Sequence, residues 1–349
     1  MPDLRDASAL FESNYNQLLA LVLRRMAIEM QYHPSGELKP LEADLIEQFR
    51  EFGELLRVVY RYDLTDVLAQ EAAWYASALS SRGSAHAAFK LLVESWIIAI
   101  QGTIRPQECN LLSAPLRELL NNESFIFDQA GQRGSATPDN DIVDLVDRLI
   151  VGDREQSLAL LTGHVKSGIN PPDLITRFIL PALVEIGRRW ESNEIQIFEE
   201  HLASETIIRL LAGFSSDLPR AEPVNRQGLV SCVPNEKHQL VPMALTAFLE
   251  LKGWQVTSLG SSLPASQILL AVKKLKPDAV FLSFHLLSRL TESMELVSQL
   301  NETCPGSQIL IGGNGAHAGK SLLEASGATV VDSFDEAHLS ALKGSPDNA

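Results

Sequence analysis

The segment Pro234-Asn235-Glu236-Lys237-His238-Gln239-Leu240-Val241 places an acid and an imidazole two residues apart, directly after the apolar run Gly228-Leu229-Val230-Ser231-Cys232-Val233. That run has strand character and Pro242 to Leu251 reads as helix. The segment is therefore expected to be a loop at the carboxyl edge of a first strand, the edge where open α/β sheets bind ligands. A loop histidine can ligate a metal through one ring nitrogen while a carboxylate orients the other, which pairs Glu236 with His238. The bland alternative is an ordinary polar loop. A second group lies upstream, where Trp190 is followed by nine residues and then Glu200-His201. If a helical hairpin brings these together, a flat apolar wall stands beside two polar groups, which suits a large ligand with an apolar portion and hydroxyls. Otherwise Trp190 packs in its bundle while Glu200 and His201 face water. A third group, Gly312-Gly313-Asn314-Gly315, has the small residues that let backbone amides approach a phosphate, although it is not a G-x-G-x-x-G pattern.

The elements that must hold these groups follow from periodicity. From Gly228 onward, strand-like runs at 228–233, 255–259, 278–283, 307–311 and 328–331 alternate with helical runs at 239–252, 265–275, 287–301, 317–325 and 335–343. This rhythm implies a five-stranded parallel sheet covered on both faces. Before it, helices are expected at Ile142–Ile150, Asp153–Ser167, Pro171–Glu191 and Glu194–Phe214, an up-and-down four-helix bundle. Asp153 and Asp173 lie near helix starts, where an acid favours the positive end of the dipole. The first 120 residues read as five more helices, at Ala7–Gln31, Leu41–Arg61, Leu64–Leu79, Ser84–Gln101 and Arg105–Leu120. Phe11, Tyr15, Leu18, Leu19, Val22, Leu23 and Met26 give the first of them an apolar stripe, and Asp63 and Ser84 are expected to cap the third and fourth. The domain boundaries expected are 1–121, a polar linker 122–140, 141–219 and 226–345.

Composition narrows the classes. The 349 residues carry a formal net charge of -15 and 45% hydrophobic residues, enough for two or three cores. No long basic run exists to contact phosphates, so direct DNA binding is not expected. No long uncharged apolar stretch and no basic-then-apolar leader are present, so a cytoplasmic protein without a membrane partner is expected. Cys109, Cys232 and Cys304 lack metal-ligand spacing and read as reduced thiols. No nucleophile-base-acid set points to an enzyme.

Joint spacing sharpens the picture. From Glu236-x-His238-x-x-Val241 there are 41 residues to Ser283-Phe284-His285, then 26 to Gly312-Gly313. This resembles the fingerprint of base-off/His-on cobalamin-binding domains. The resemblance implies a Rossmann-like, flavodoxin-like sheet in which His238 is the lower axial ligand of cobalt and Glu236 its polar support. It also implies that Ser283 contacts the displaced nucleotide tail and that Gly312-Gly313 is where the tail approaches closely. The Trp190-x9-Glu200-His201 group is similar to the helical cap of CarH-type light-dependent cobalamin regulators, which covers the upper face and the adenosyl group. Three positions depart from those patterns: Val241 stands where a glycine is usual, His285 where an apolar residue or threonine is usual, and Glu191 where CarH-type proteins have a histidine.

The expectation is a multidomain α and α/β protein that senses through cobalamin, most specifically a photoreceptor using adenosylcobalamin, signalling to its N-terminal bundle, with a homo-oligomer or a protein signalling partner expected. The alternatives are a corrinoid carrier for methyl transfer, or a haem or bilin sensor on the same scaffold. The N-terminal bundle also loosely resembles helical sensor domains. Arg24-Arg25, His33, Trp74, Tyr75, His86 and Trp96 are candidates there to line a pocket for a second chromophore, bilin or haem, or else to be core and solvated surface.

Overall fold

The computed structural model describes residues 4–32, 43–80, 85–122, 124, 126–127 and 139–343. Most of the expected linker 122–140, His33 and the expected cap Ser84 lie outside them. The chain divides into two compact units, Met1–Ala136 with Arg188–Ile195, and Thr137–Gly187 with Gln196–Ala349.

The first unit contains α1 (Leu4–Tyr32), α2 (Ala43–Tyr62), α3 (Leu68–Ser80), α4 (Ala85–Thr103) and α5 (Pro106–Asn121). The stripe on α1 is buried at Phe11, Tyr15, Leu18, Leu19, Val22 and Met26, packed against α2, α4 and α5. Asp63 does not cap α3. It adopts φ 53°, and turns occupy the residues up to Leu68, because the short Asp side chain tolerates the left-handed region. Among the described residues considered for a second chromophore, the aromatics pack within the helical unit. Trp96 is fully buried, stacked near Tyr15 at 6.2 Å and near Phe11 at 5.7 Å. Tyr75 is buried edge-on to Phe52 at 5.3 Å, with Trp74 edge-on to it at 4.9 Å. His86 stacks on Phe127, and Arg25 lies 3.8 Å from both Glu29 and Glu94. Aromatics on amphipathic helices have been drawn into the core, where their area is best spent.

The second unit opens with α6 (Asn140–Ile150) and α7 (Arg154–Lys166), whose N-cap Asp153 accepts from Gln156 N at 3.0 Å. The expected single helix Pro171–Glu191 is instead α8 (Pro171–Leu174), a π turn (Ile175–Ile179) and α9 (Leu180–Glu191). Pro181 has no N–H to give the carbonyl of Arg177, so the regular ladder cannot continue through this stretch. Next comes α10 (Ile197–Asp217), started by a 2.7 Å bond from Gln196 N to the Glu199 carboxylate.

The sheet comprises β1 (Gln227–Cys232), β2 (Gln255–Gly260), β3 (Ala279–Ser283), β4 (Gln308–Gly312) and β5 (Thr329–Val330). All pairings are parallel, in the order β2-β1-β3-β4-β5. The intervening helices are α11 (Leu240–Leu251), α12 (Ala265–Leu275), α13 (Leu290–Thr303) after a 3-10 turn at Leu287–Arg289, α14 (Asn314–Ala318), α15 (Lys320–Ala325) and α16 (Phe334–Lys343). The fold is thus a flavodoxin-like, Rossmann-type sheet preceded by helical domains. Helix α11 is apolar nearly all round, because one side covers the sheet and another packs on α10 and the α8–π segment. It ties the bundle to the sheet and begins beside the Glu236–His238 loop.

Candidate functional site

Register brings the ends of three strands into one row: Cys232 pairs with Ser283, and Ser283 with Gly312. The order β2-β1-β3 makes the gap between β1 and β3 the switch point of the sheet, where the loops diverge and leave a crevice. The loop after β1 carries Glu236 and His238, and the loop after β3 carries His285. Asn235 adopts φ 62°, a turn position that Asn tolerates and that tucks the next residue inward.

Glu236 is 1% exposed and fully used. Its Oε1 lies 2.5 Å from His238 Nδ1 and accepts from the backbone N–H of Lys237 at 2.7 Å and of His238 at 2.9 Å. Its Oε2 accepts from the backbone N–H of His285 at 2.8 Å. Burial pushes this carboxyl up, but the imidazole and the backbone donors outweigh burial and hold it at about 2, below its ordinary 4.5. A carboxylate so placed stays ionised and fixes the tautomer of its partner. The His238 ring is 48% exposed with Nδ1 held, so Nε2 is the nitrogen left for a ligand. Beneath it, burial and then Glu236 push the Cys232 thiol to about 12, and it donates weakly to the His238 carbonyl at 3.7 Å.

The remaining expected residues fall as follows. Ser283 ends β3, nearly buried, and its carbonyl accepts from Val233 N at 3.1 Å. The His285 ring centroid lies 4.8 Å from that of His238, and His285 Nδ1 lies 3.3 Å from Asn314 Nδ2. Sequence reasoning missed that use of Asn314, although it belonged to the Gly-rich group. Gly313 has φ 105°, and a Cβ there would stand 2.2 Å from the Phe284 carbonyl oxygen; Gly312 would stand 3.2 Å from that of Val331. Gly313 is therefore demanded by its own φ and by the Phe284 backbone, whereas a Cβ at Gly312 would ask its neighbour to give by only a few tenths of an ångström. Val241 sits in the first turn of α11, 38% exposed, with no positive φ that would ask for glycine.

In the bundle, Glu200 receives Ser204 Oγ at 2.8 Å and lies 2.8 Å from His201 Nδ1. His201 is 73% exposed, and Phe198 and Leu202 on the same two turns of α10 are exposed apolar neighbours. Trp190 is half-buried at the end of α9, in the segment that groups with the first unit, whereas Glu200 and His201 belong to the second.

Among the described residues no three His, Cys, Asp or Glu side chains gather as a metal cage. One exposed imidazole braced by a buried carboxylate can offer Nε2 as a single ligand to a metal centre. Residues 142–212 match the B12 binding domain of helical type and residues 226–342 the B12 binding domain that follows it.

The chain carries both parts of a B12-binding module.

The module's bundle is the 142–212 match and its sheet the 226–342 match, joined through α11. The HTH-type transcriptional repressor CarH of Myxococcus xanthus is 30% identical over 163 residues, 46% of this chain and 54% of that protein. The repressor CarA of the same organism is 30% identical over 159 residues, 46% and 53% of the two chains. The chain spans about half the length of the curated relatives it matches. A solved monomethylamine corrinoid protein of Methanosarcina barkeri is 18% identical, with a TM-score of 0.44 over 57% of this chain and 96% of that one. Among the described residues no helix is long and apolar enough to cross a membrane.

Proposed function

We propose that the protein is a cobalamin-dependent light sensor that holds adenosylcobalamin on the carboxyl edge of its sheet. The observation that carries this reading is the 2.5 Å contact of Glu236 Oε1 with His238 Nδ1 at the switch point, inside a B12-binding module. His238 would ligate cobalt from below through Nε2, and Glu236 would keep Nδ1 protonated and the ring oriented. Ser283, His285 and the Gly312-Gly313 turn, on the neighbouring strand ends, are assigned to the nucleotide tail. Glu200 and His201 of α10 are assigned to the side of the adenosyl group, with Val241 flanking the loop that carries His238. When bound, adenosylcobalamin supplies a weak cobalt–carbon bond that light breaks.

The element we assign to signalling is the packing of α10 and the α8–π segment on α11, which joins bundle to sheet. The output goes to the N-terminal helices, a protein partner or a second copy of the chain. A net charge of -15 with no basic run supports a protein output over a nucleic-acid one. The polypeptide is assigned no catalysis of its own.

The test is to load the protein with adenosylcobalamin in the dark, illuminate it, and follow absorption together with hydrodynamic size and small-angle scattering. The reading expects a changed spectrum and a changed size or shape. Photolysis with size and shape unaltered contradicts the signalling half, and failure to take up the cofactor contradicts the whole.

A further inference from the structure

The last helix, α16, is fastened along one side at three points. Phe334 packs on Phe248 of α11 with ring centroids 5.6 Å apart, Asp335 pairs with Lys252 at 3.1 Å, and His338 Nδ1 accepts from Trp254 Nε1 at 3.0 Å. The third point differs from the others in what it demands. An indole N–H can only donate, so the bond requires the lone pair of Nδ1 and a neutral ring whose hydrogen is on Nε2. Trp254, between the end of α11 and β2, is 3% exposed and stands edge-on to Phe281 of β3 at 5.7 Å, so its N–H is held where the packing on the sheet puts it. The charged groups facing the imidazole are Lys252, from the end of α11, and Asp335, from α16 itself; Trp254, from the entry to β2, brings none. Burial, then Lys252, hold the imidazole below its ordinary 6.5, and Asp335 offsets them only in part.

A proton on Nδ1 would set N–H against N–H, strand a buried indole donor and place a cation beside Lys252. We propose that His338 is a pH-sensitive latch: neutral, it holds α16 on Trp254, and protonated, it releases the helix. The folded state takes up this proton less readily than the released state, so the latch's contribution is whole above 6.5 and is lost as pH falls through the lower folded value. Helix α16 packs on α11 and β4, and α11 begins beside the Glu236–His238 loop, so release would loosen one wall of the cofactor domain. That last link rests on the cobalamin reading, whereas the latch does not.

The full chain labelled with 5-fluorotryptophan reports on the latch through the fluorine resonance of Trp254, assigned by its loss in Trp254→Phe. Between pH of about 8 and about 5.5 the resonance should move with a midpoint below about 6.5. Over the same range amide hydrogen exchange in α16, corrected for its intrinsic pH dependence, should quicken at least about threefold. His338→Asn offers an amide oxygen at about the reach of Nδ1 and takes up no proton, so both responses should vanish while exchange at the higher pH stays near that of the parent. His338→Gln is a second variant that does not titrate and should behave alike. A resonance that stays still, or responses that persist undiminished in both variants, would overturn the proposal. Adenosylcobalamin uptake at the two pH values is a separate readout. The ratio of affinities should be larger for the parent than for His338→Asn, and an equal ratio overturns the link to the cofactor. No uptake at the higher pH contradicts the cobalamin reading instead, while the resonance still decides the latch.

Discussion

Glu236 reaches His238 and, through its second oxygen, the loop that follows β3: Oε1 lies 2.5 Å from His238 Nδ1 while Oε2 takes the His285 backbone N–H at 2.8 Å. One buried carboxylate thereby fixes the ring and locks two loops whose residues lie 49 positions apart.

That relationship has a pH signature. The folded carboxyl sits at about 2 against an ordinary 4.5, so its stabilisation is complete above the higher value and is lost as pH falls through the lower one. The contribution at neutral pH is on the order of 3 kcal/mol. Urea unfolding of Glu236→Gln should show lower stability at pH 7 and a flatter loss between pH of about 4.5 and 2 than the parent. Parallel curves would contradict the role given to the buried carboxylate.

The same bonds predict an ordering of variants in cofactor uptake. Glu236→Gln should weaken cobalamin binding by about 10- to 100-fold, the usual consequence of losing a residue that braces a ligating histidine. His285→Ala should weaken it less, because the bond to Glu236 comes from the backbone of residue 285. Spectroscopic titration checks both, and an inverted order would place the His285 ring above the carboxylate in importance.

Gly313→Ala tests the turn after β4. An added Cβ meets the Phe284 carbonyl oxygen at 2.2 Å, and φ is 105°, so the loss should be about 3 kcal/mol or more by chemical denaturation. A loss under about 1 kcal/mol would mean that the turn relaxes freely.

The alternation of strand and helix placed all five strands within about a residue of their observed ends, because strands covered on both faces are short continuous apolar runs, written in side-chain types and bounded by turn residues. Glu236 and His238 were legible as a pair for the same reason: two chemically distinctive residues in one short loop. The Glu236–His285 bond was not, since a backbone donor carries no mark of its residue type. The π turn was also hidden, although Pro181 was its available signal. Gly312-Gly313 read as a ligand cradle from residue type alone, and the backbone carbonyls of Phe284 and Val331 beside those glycines carry no mark in the sequence. Trp96 and Tyr75 read as core rather than pocket by their helical spacing, and packing buries both.

The first unit offers a control. Tyr60, fully buried, donates to the Leu112 carbonyl at 2.7 Å across α2 and α5. Tyr60→Phe removes that bond and should cost about 1 kcal/mol of stability, read by denaturation. The cobalamin spectrum should not change, and a shifted spectrum would couple the two sites more tightly than the account holds.

The central claim is that His238 Nε2 is the nitrogen that meets cobalt. The most direct measurement is dark titration of His238→Ala with adenosylcobalamin, recording the visible spectrum of the bound cofactor. The account predicts that uptake falls by more than the about 100-fold expected at a supporting residue, or that the remaining bound cofactor loses the spectrum of histidine ligation. Parent-like affinity with a parent-like spectrum would contradict it.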